Sequence, residues 1–141
     1  MPGKSNYWET RTLKDLFQAS QARPSSMGIS LHSATLIDLF DGAEISTVGT
    51  GYNRVSLGNS SANWGGATAA ASSAANSTMF NKTVVTFASA AASYGPVVAA
   101  GVWDTTTVGG NLLYMSSFAG KTVEIGDIPQ ISSGDLRISE D

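Results

Sequence analysis

The sequence contains no cysteine, which excludes disulfide bonds and thiolate metal sites. Its single histidine, His32, excludes a multi-histidine metal site and leaves a Ser-His-Asp triad only one candidate base. Charged residues are also scarce, at 13% of the chain against the ~25% that is typical of soluble domains. No apolar run approaches the ~18 residues that a membrane span needs, so we expect no membrane association.

The few charges that are present restrict the choice of partner. The net charge is −3 and there is no basic cluster, which argues against nucleic-acid binding. Between Ile45 and Trp103 the only charged residues are Arg54 and Lys82, among many Ala, Ser, Thr, Gly and Asn. A surface of this kind is either neutral and solvated or covered by neighbouring subunits of an assembly, and composition alone does not separate the two. The N-terminus has no apolar signal region, so we expect synthesis in a reducing, cytosol-like compartment.

The first segment carries the only clear helical pattern. Asn6 precedes Glu9 by three residues, which is the spacing of a capping box at a helix start. Leu13, Leu16 and Phe17 follow at i, i+3 and i+4, which predicts one apolar stripe along the helix.

This helix is expected to end before Arg23, because a residue that precedes proline avoids the helical conformation. We assign residues 1–24 to an N-terminal helix or arm. It either covers an open end of its own β domain, which we favour, or uses Tyr7, Trp8 and its basic side chains to reach a partner.

The rest of the chain, residues 25–141, consists of short β-like runs separated by turn residues. The run 95–103 is almost continuous in small apolar residues and is predicted to be buried on both faces. Seven or eight antiparallel strands at this spacing predict a mainly β fold, a β-sandwich or jelly roll. The segment 64–80, rich in Ala and Ser, fits either a helix or a surface loop. The predicted strands are ISLHSATLIDLF, GYNRVSLG, KTVVTFA, GPVVAAGVW, NLLYMSSF, KTVEIGDIPQI and GDLRIS.

Two of these strands are predicted to form a hairpin. Residues 97–103 form its first strand and residues 111–115 begin its second. Asp104 starts the turn, and the glycine pair 109–110 supplies the positive-φ positions that close it. Because the connection is longer than a two-residue turn, its threonines are expected to protrude.

No group of residues points to catalysis, a cofactor or a metal ion. His32 lies within a predicted strand, and the chain has no G-x-S-x-G elbow. Asp104 and Asp127 lie in predicted turns, where aspartate bonds to its own backbone. The acidic stretch 38–44 lacks the spacing of an EF-hand loop, and an Asp-Gly turn explains it better. We therefore predict a protein that is not an enzyme, with no cofactor and no metal ligands.

The order of several short motifs resembles a family of small tailed-phage virion proteins. The motifs are YWETRTLKDLF, GYNRV, NW, VVTFASA, YGPVVAAGVWD, GGNLLYM, KTVEIGD and SGDLRIS, from about residue 7 to residue 139. Members of this family are often labelled tail-fibre or minor structural proteins, and similar small β-sandwich proteins serve as capsid cement or decoration subunits. The chain departs from the family in a shorter loop after the first strand and a longer Ala/Ser stretch. The resemblance implies a virion component with protein partners, many copies and no catalytic residues.

Three functional hypotheses follow. The first, which we favour at this point, is a capsid cement or decoration protein that binds the major capsid protein, as a homo-oligomer in a virion assembled in bacterial cytoplasm. The second is a tail fibre, collar or baseplate component that binds tail proteins. The third is a carbohydrate-binding β-sandwich in which Trp64, Tyr94 or Trp103 stacks on sugars. The residues predicted to contact a partner are Tyr7, Trp8, Arg11, Lys14, Arg23, Thr105, Thr106 and Thr107.

Overall fold

A computed structural model of the chain describes residues 3–17, 23–36, 43–66 and 77–140. It is mainly β with one N-terminal helix, as the sequence predicts. The described residues form ten strands, against the seven or eight predicted, and three of the ten are only two residues long. The elements are β1 (Gly3–Lys4), α1 (Asn6–Phe17), β2 (Ser26–His32), β3 (Val55–Gly58), β4 (Trp64–Gly66), β5 (Ser77–Asn81), β6 (Val85–Thr86), β7 (Gly95–Trp103), β8 (Leu112–Val123), β9 (Gln130–Ile131) and β10 (Arg137–Glu140).

The strands form three sheets in which every pairing is antiparallel. The largest has five strands in the order β1-β8-β7-β2-β3, the second has the order β10-β5-β4, and the third pairs β6 with β9. In the five-stranded sheet the central pair is β7 and β8, with Trp103 opposite Leu112 and Gly95 opposite Val123. These two strands form the predicted hairpin and connect the two ends of the molecule.

The described sheets pack around a main apolar core. The five-stranded sheet contributes Ile29 and Val102, β4 contributes Trp64, and β6 contributes Val85. Each of these side chains is at most a few per cent exposed, so their burial is the main favourable contribution to the packing of the sheets.

The prediction that residues 95–103 are buried on both faces is confirmed for their second half. Residues 99–103 are buried without interruption. Val102 faces the main core, while Ala99 and Trp103 face a smaller cluster on the opposite side of the sheet, with Leu36 and Leu112. A strand with an apolar cluster on each side needs apolar residues at successive positions rather than in alternation.

The helix differs from its prediction in its start and in its exposed face. Ser5, not Asn6, is the cap: its hydroxyl accepts a hydrogen bond from the Trp8 amide at 3.3 Å, and its carbonyl accepts the first helical bond. The predicted stripe does not lie against the body, because Leu13 is 59% exposed and Phe17 is 76% exposed. No described helix is long and apolar enough to cross a membrane.

Several strand predictions also need correction. The first predicted strand ends at His32, KTVVTFA is a strand only over the two residues of β6, and KTVEIGDIPQI is divided between the end of β8 and β9. The GYNRVSLG run forms a strand only over its second half, β3, because Tyr52 and Arg54 leave the ladder to make side-chain contacts with Glu44. Neither alternative for residues 64–80 accounts for their ends, which form β4 and β5 of the second sheet. Residues 67–76 between them lie outside the described part of the chain.

Candidate functional site

A buried ion pair lies at the end of the five-stranded sheet where β7 ends. The Arg54 guanidinium donates from Nε to Glu44 Oε1 at 2.8 Å and from Nη2 to Glu44 Oε2 at 2.7 Å. The two side chains are only 1% and 9% exposed. This fork geometry is the strongest arrangement of the two groups, because both donors are aligned with both carboxylate oxygens.

The same guanidinium holds the loop that follows β7. Its Nη1 donates to the carbonyl of Thr107 at 2.8 Å and to that of Gly109 at 2.9 Å, with longer contacts of 3.3 Å to Thr105. Its carbon Cζ lies 4.0 Å from the centre of the Trp103 ring, in cation–π range. Arg54 therefore fixes residues 104–110 by their backbone. We call this segment the clamped loop.

The remaining contacts of the clamped loop confirm the predicted turn. Asp104 accepts hydrogen bonds from the Asn111 amide and from its side-chain Nδ2, each at 2.8 Å. Gly109 and Gly110 have φ values of 103° and 76°. A Cβ atom on Gly110 would lie 2.4 Å from Thr105 Oγ1, so this position has no room for a side chain.

The threonines of the clamped loop do not all protrude. Thr105 and Thr106 are half-buried, and only Thr107 is exposed. Thr105 Oγ1 donates within the loop towards the carbonyls of Thr107 and Gly109, each at 3.0 Å. The expectation that the threonines protrude is therefore wrong for Thr105 and Thr106. The loop is packed on Gly28 of β2, where a Cβ atom would lie 2.0 Å from the Thr105 carbonyl oxygen.

The N-terminal helix is attached to the same end of the sheet. The Ser5 amide donates to the Leu113 carbonyl at 3.0 Å, and the Ser5 hydroxyl donates to the Leu112 carbonyl. Trp8 Nε1 donates to the Tyr114 hydroxyl at 2.7 Å, with the two rings edge to face at 6.2 Å. The interpretation that the helix covers its own domain therefore holds for its first turns. The exposed Leu13 and Phe17 lie on its second half.

The predicted partner-contact residues fall into three groups in the structure. On the helix, Tyr7 and Lys14 are exposed, Trp8 is half-buried, and Arg11 lies over the Trp8 ring at 5.3 Å. The second group is Arg23, which is exposed just before β2. The third group is the three threonines of the clamped loop. Their role in binding a partner remains a prediction.

A family model described as podophage GP4 fiber I protein gp80 matches residues 3–139. The chain belongs to this family. It is therefore a bacteriophage virion structural protein of the fibre type, as the resemblance of its motifs predicts. No curated protein matches the chain.

The one histidine of this fiber I family member lies in a closed part of the sheet. His32 Nε2 is 2.6 Å from the Ser30 hydroxyl, which also accepts a hydrogen bond from Trp103 Nε1 at 2.7 Å. Burial lowers the His32 pKa to about 4. Two smaller effects act on the same pKa: the charge of Glu44 raises it and the charge of Arg54 lowers it. His32 and Ser30 are completely buried, so substrate cannot reach this pair as a nucleophile and base.

The other candidate sites from the sequence receive no support from the described residues. Among the described residues, no group of three His, Asp or Glu side chains could hold a metal ion. The acidic stretch 38–44 lies mostly outside them, and Glu44 is paired with Arg54. A sugar platform formed by Trp64, Tyr94 or Trp103 requires exposed rings, but all three are buried.

Sequence reasoning missed the central residues of this site, Arg54 and Glu44. Tyr52 completes the group: its hydroxyl donates to Glu44 Oε1 at 3.0 Å and accepts from the Leu31 amide at 3.0 Å. Burial of that hydroxyl raises the Tyr52 pKa. One signal in the sequence could have identified Arg54: it is a lone arginine in a strand-like run, within a segment that has almost no other charge. A charged residue in such a strand is either exposed or paired with an opposite charge.

Proposed function

We propose that the chain is a non-enzymatic component of the tail fibres of a podophage virion, where it binds neighbouring virion proteins through preformed surfaces. The observation that carries the proposal is the match to the fiber I family over residues 3–139. A capsid cement role, bound to the major capsid protein, stays a prediction that this match favours less than the fibre role.

The geometry supports a passive binding role. The clamped loop is held by a buried cation and two close carbonyl contacts, so little conformational entropy is lost when a partner binds it. Its exposed part, residues 107–110, lies at the same end of the sheet to which the helix is attached. A rigid loop and a helix at one end of a small domain form a surface suited to protein contact.

The copy number in purified particles tests the fibre role against the capsid role. A fibre component is expected in tens of copies, whereas a cement protein that follows the capsid lattice is expected in hundreds. Quantitative mass spectrometry against the major capsid protein measures this ratio. Hundreds of copies per particle would contradict the fibre role and support capsid cement. Absence from particles would contradict both.

The contact role of the clamped loop is tested in the same particles. Thr107→Arg changes an exposed side chain at the loop surface, and Thr83→Arg makes the same change at an exposed position after β5, outside the clamped loop and the helix. We expect Thr107→Arg to reduce the incorporation of the chain into particles. The purified variant should have the same unfolding temperature as the unchanged chain. Equal incorporation of the two variants would remove the clamped loop from the proposed contact surface.

A further inference from the structure

A cleft of about 490 Å³ is lined by residues of the two larger sheets and of the N-terminal helix. We call it the inter-sheet cleft. Its lining comes from α1, from β2 and β8, from β4, β5 and β10, and from the turn after β3. Sites for small molecules usually enclose about 300–1,000 Å³. Neither the clamped loop nor the Arg54–Glu44 pair lines this cleft, so it is a separate site.

The apolar part of the lining combines aliphatic side chains with aromatic rings. Met27, Met79 and Ile138 line the cleft and pack, partly buried, against the main core. Trp8 and Tyr114 also line it, and both are half-buried. Each of these five side chains therefore keeps some surface that a bound molecule could cover. Aromatic rings of this kind offer a large and rigid contact area.

The polar part of the lining is a short turn. Asn59, Ser60 and Ser61 line the cleft and are exposed, and each carries an uncharged hydrogen-bonding side chain. The Asn59 amide donates to the Ser25 carbonyl at 3.0 Å, and the Ser60 carbonyl accepts from the Asn63 amide at 3.1 Å. Because these backbone contacts already fix the turn, little conformational entropy is lost when its side chains bind a ligand.

Trp64 adds an unpaired donor to the same lining. Its side chain lines the cleft and is 7% exposed, and its Nε1 is buried with no hydrogen-bond partner among the described residues. Buried polar groups are almost always hydrogen-bonded, whether to protein, to water or to a ligand. The donor therefore favours an occupant with acceptor oxygens over one that is wholly apolar.

The lining of the inter-sheet cleft contains no charged residue. Two cations contact lining residues without lining the cleft themselves. Arg11 lies 5.3 Å from the centre of the Trp8 ring, and Lys82 Nζ donates to the Ser61 carbonyl at 2.9 Å. A charged ligand in the cleft would lose its hydration without gaining an opposite charge, which is unfavourable. The lining therefore favours an uncharged ligand.

We propose that the inter-sheet cleft binds an uncharged saccharide unit. Such a molecule has a C–H face that can pack on Trp8 and the methionines, and hydroxyl groups that both donate and accept hydrogen bonds. The hydroxyl groups would bind the side chains of residues 59–61 and the Nε1 of Trp64. A wholly apolar group would leave these polar groups unpaired. Trp64 itself is too buried to stack on a sugar, so the stacking ring is Trp8.

This ligand is additional to the neighbouring virion proteins of the fibre role, and the two proposals fail separately. The first test applies the labelled full chain to an array of uncharged and charged glycans. The uncharged set contains oligosaccharides of glucose, galactose, mannose and N-acetylhexosamines, and the charged set contains sialylated, sulfated and uronic-acid glycans. We expect binding to members of the uncharged set. Binding to no glycan, or to charged glycans only, would overturn the proposal.

The second test locates the binding by calorimetry with the strongest uncharged array glycan as a free oligosaccharide. Ser61→Arg places a long charged side chain on the cleft lining, and Thr83→Arg makes a matched change at an exposed position that does not line it. We expect Ser61→Arg to raise the dissociation constant by at least about tenfold and Thr83→Arg to leave it unchanged. Equal binding by the two variants would overturn the proposal.

A pair of variants at Trp8 isolates the contribution of the ring. Trp8→Ala and Trp8→Phe both lose the hydrogen bond to the Tyr114 hydroxyl, but only Trp8→Ala loses the aromatic ring. We expect Trp8→Ala to weaken glycan binding much more than Trp8→Phe does. Thermal unfolding verifies that each variant is folded at the temperature of the titration. Equal binding by the two variants would contradict stacking on Trp8 and overturn the proposal.

Discussion

Replacement of Arg54 by methionine should be among the most damaging single changes in the protein. It removes the paired bonds to Glu44 at 2.7 and 2.8 Å and the two short bonds to the clamped loop. The Glu44 carboxylate, which is 9% exposed beside Arg54, would lose its cation and keep the hydrogen bond from the Tyr52 hydroxyl. Removal of one partner of a buried ion pair costs about 3–5 kcal/mol. That is a large part of the total stability of a small domain, about 5–15 kcal/mol.

A double-mutant cycle measures how much of this loss belongs to the pair. Arg54→Met, Glu44→Gln and the double variant are compared by urea unfolding. We expect the double variant to lose less stability than the sum of the single variants, with a coupling of about 1–3 kcal/mol, because it leaves no unpaired charge. Lys82→Met is the matched control, because Lys82 is the only other charged residue between Ile45 and Trp103 and its side chain is exposed. It should change stability by less than about 0.5 kcal/mol.

Hydrogen exchange tests the clamp itself. In Arg54→Met the amides of residues 105–110 should exchange much faster than in Lys82→Met, because the loop loses the donor that holds its carbonyls. If Arg54→Met costs less than about 1 kcal/mol, or leaves the exchange of these amides unchanged, the assignment of Arg54 as the clamp is refuted.

Two further predictions concern the same end of the sheet. Gly110→Ala should lower the free energy of unfolding in urea more than Gly109→Ala does. Both glycines have positive φ, but only at Gly110 would the added Cβ collide with Thr105. Equal losses of stability in the two variants would contradict this prediction. Because the His32 pKa falls from 6.5 to about 4 on folding, its contribution to stability is complete above pH 6.5 and is lost as the pH falls towards 4, by about 3 kcal/mol. The free energy of unfolding of His32→Gln should therefore depend less on pH over this range, and parallel curves would contradict the account.

Much of the fold follows from local patterns in the sequence. The apolar run 95–103 coincides with β7, and the turn chemistry of Asp104 and the glycine pair 109–110 predicts the hairpin. These features depend on residues close together in the chain, where strand periodicity and turn preferences act directly.

The features that the sequence did not reveal depend on distant contacts. Arg54 meets Thr107 and Gly109 only because β2 lies between β3 and β7 in the sheet. Thr105 is half-buried for the same reason, because Arg54 also contacts its carbonyl and hydroxyl oxygens. The exposure of Phe17 depends on where the helix is attached, and that attachment through Ser5 and Tyr114 is likewise a long-range event. Periodicity identifies an apolar stripe but not the surface that covers it.

The location of the chain in the particle tests the central claim most directly. Antibody raised against the purified chain, coupled to gold and imaged on intact particles, reports where the protein lies. The account predicts labels on fibres at the tail, and the same labels on tails separated from their heads. Labels distributed evenly over the capsid shell, with none at the tail, would contradict it.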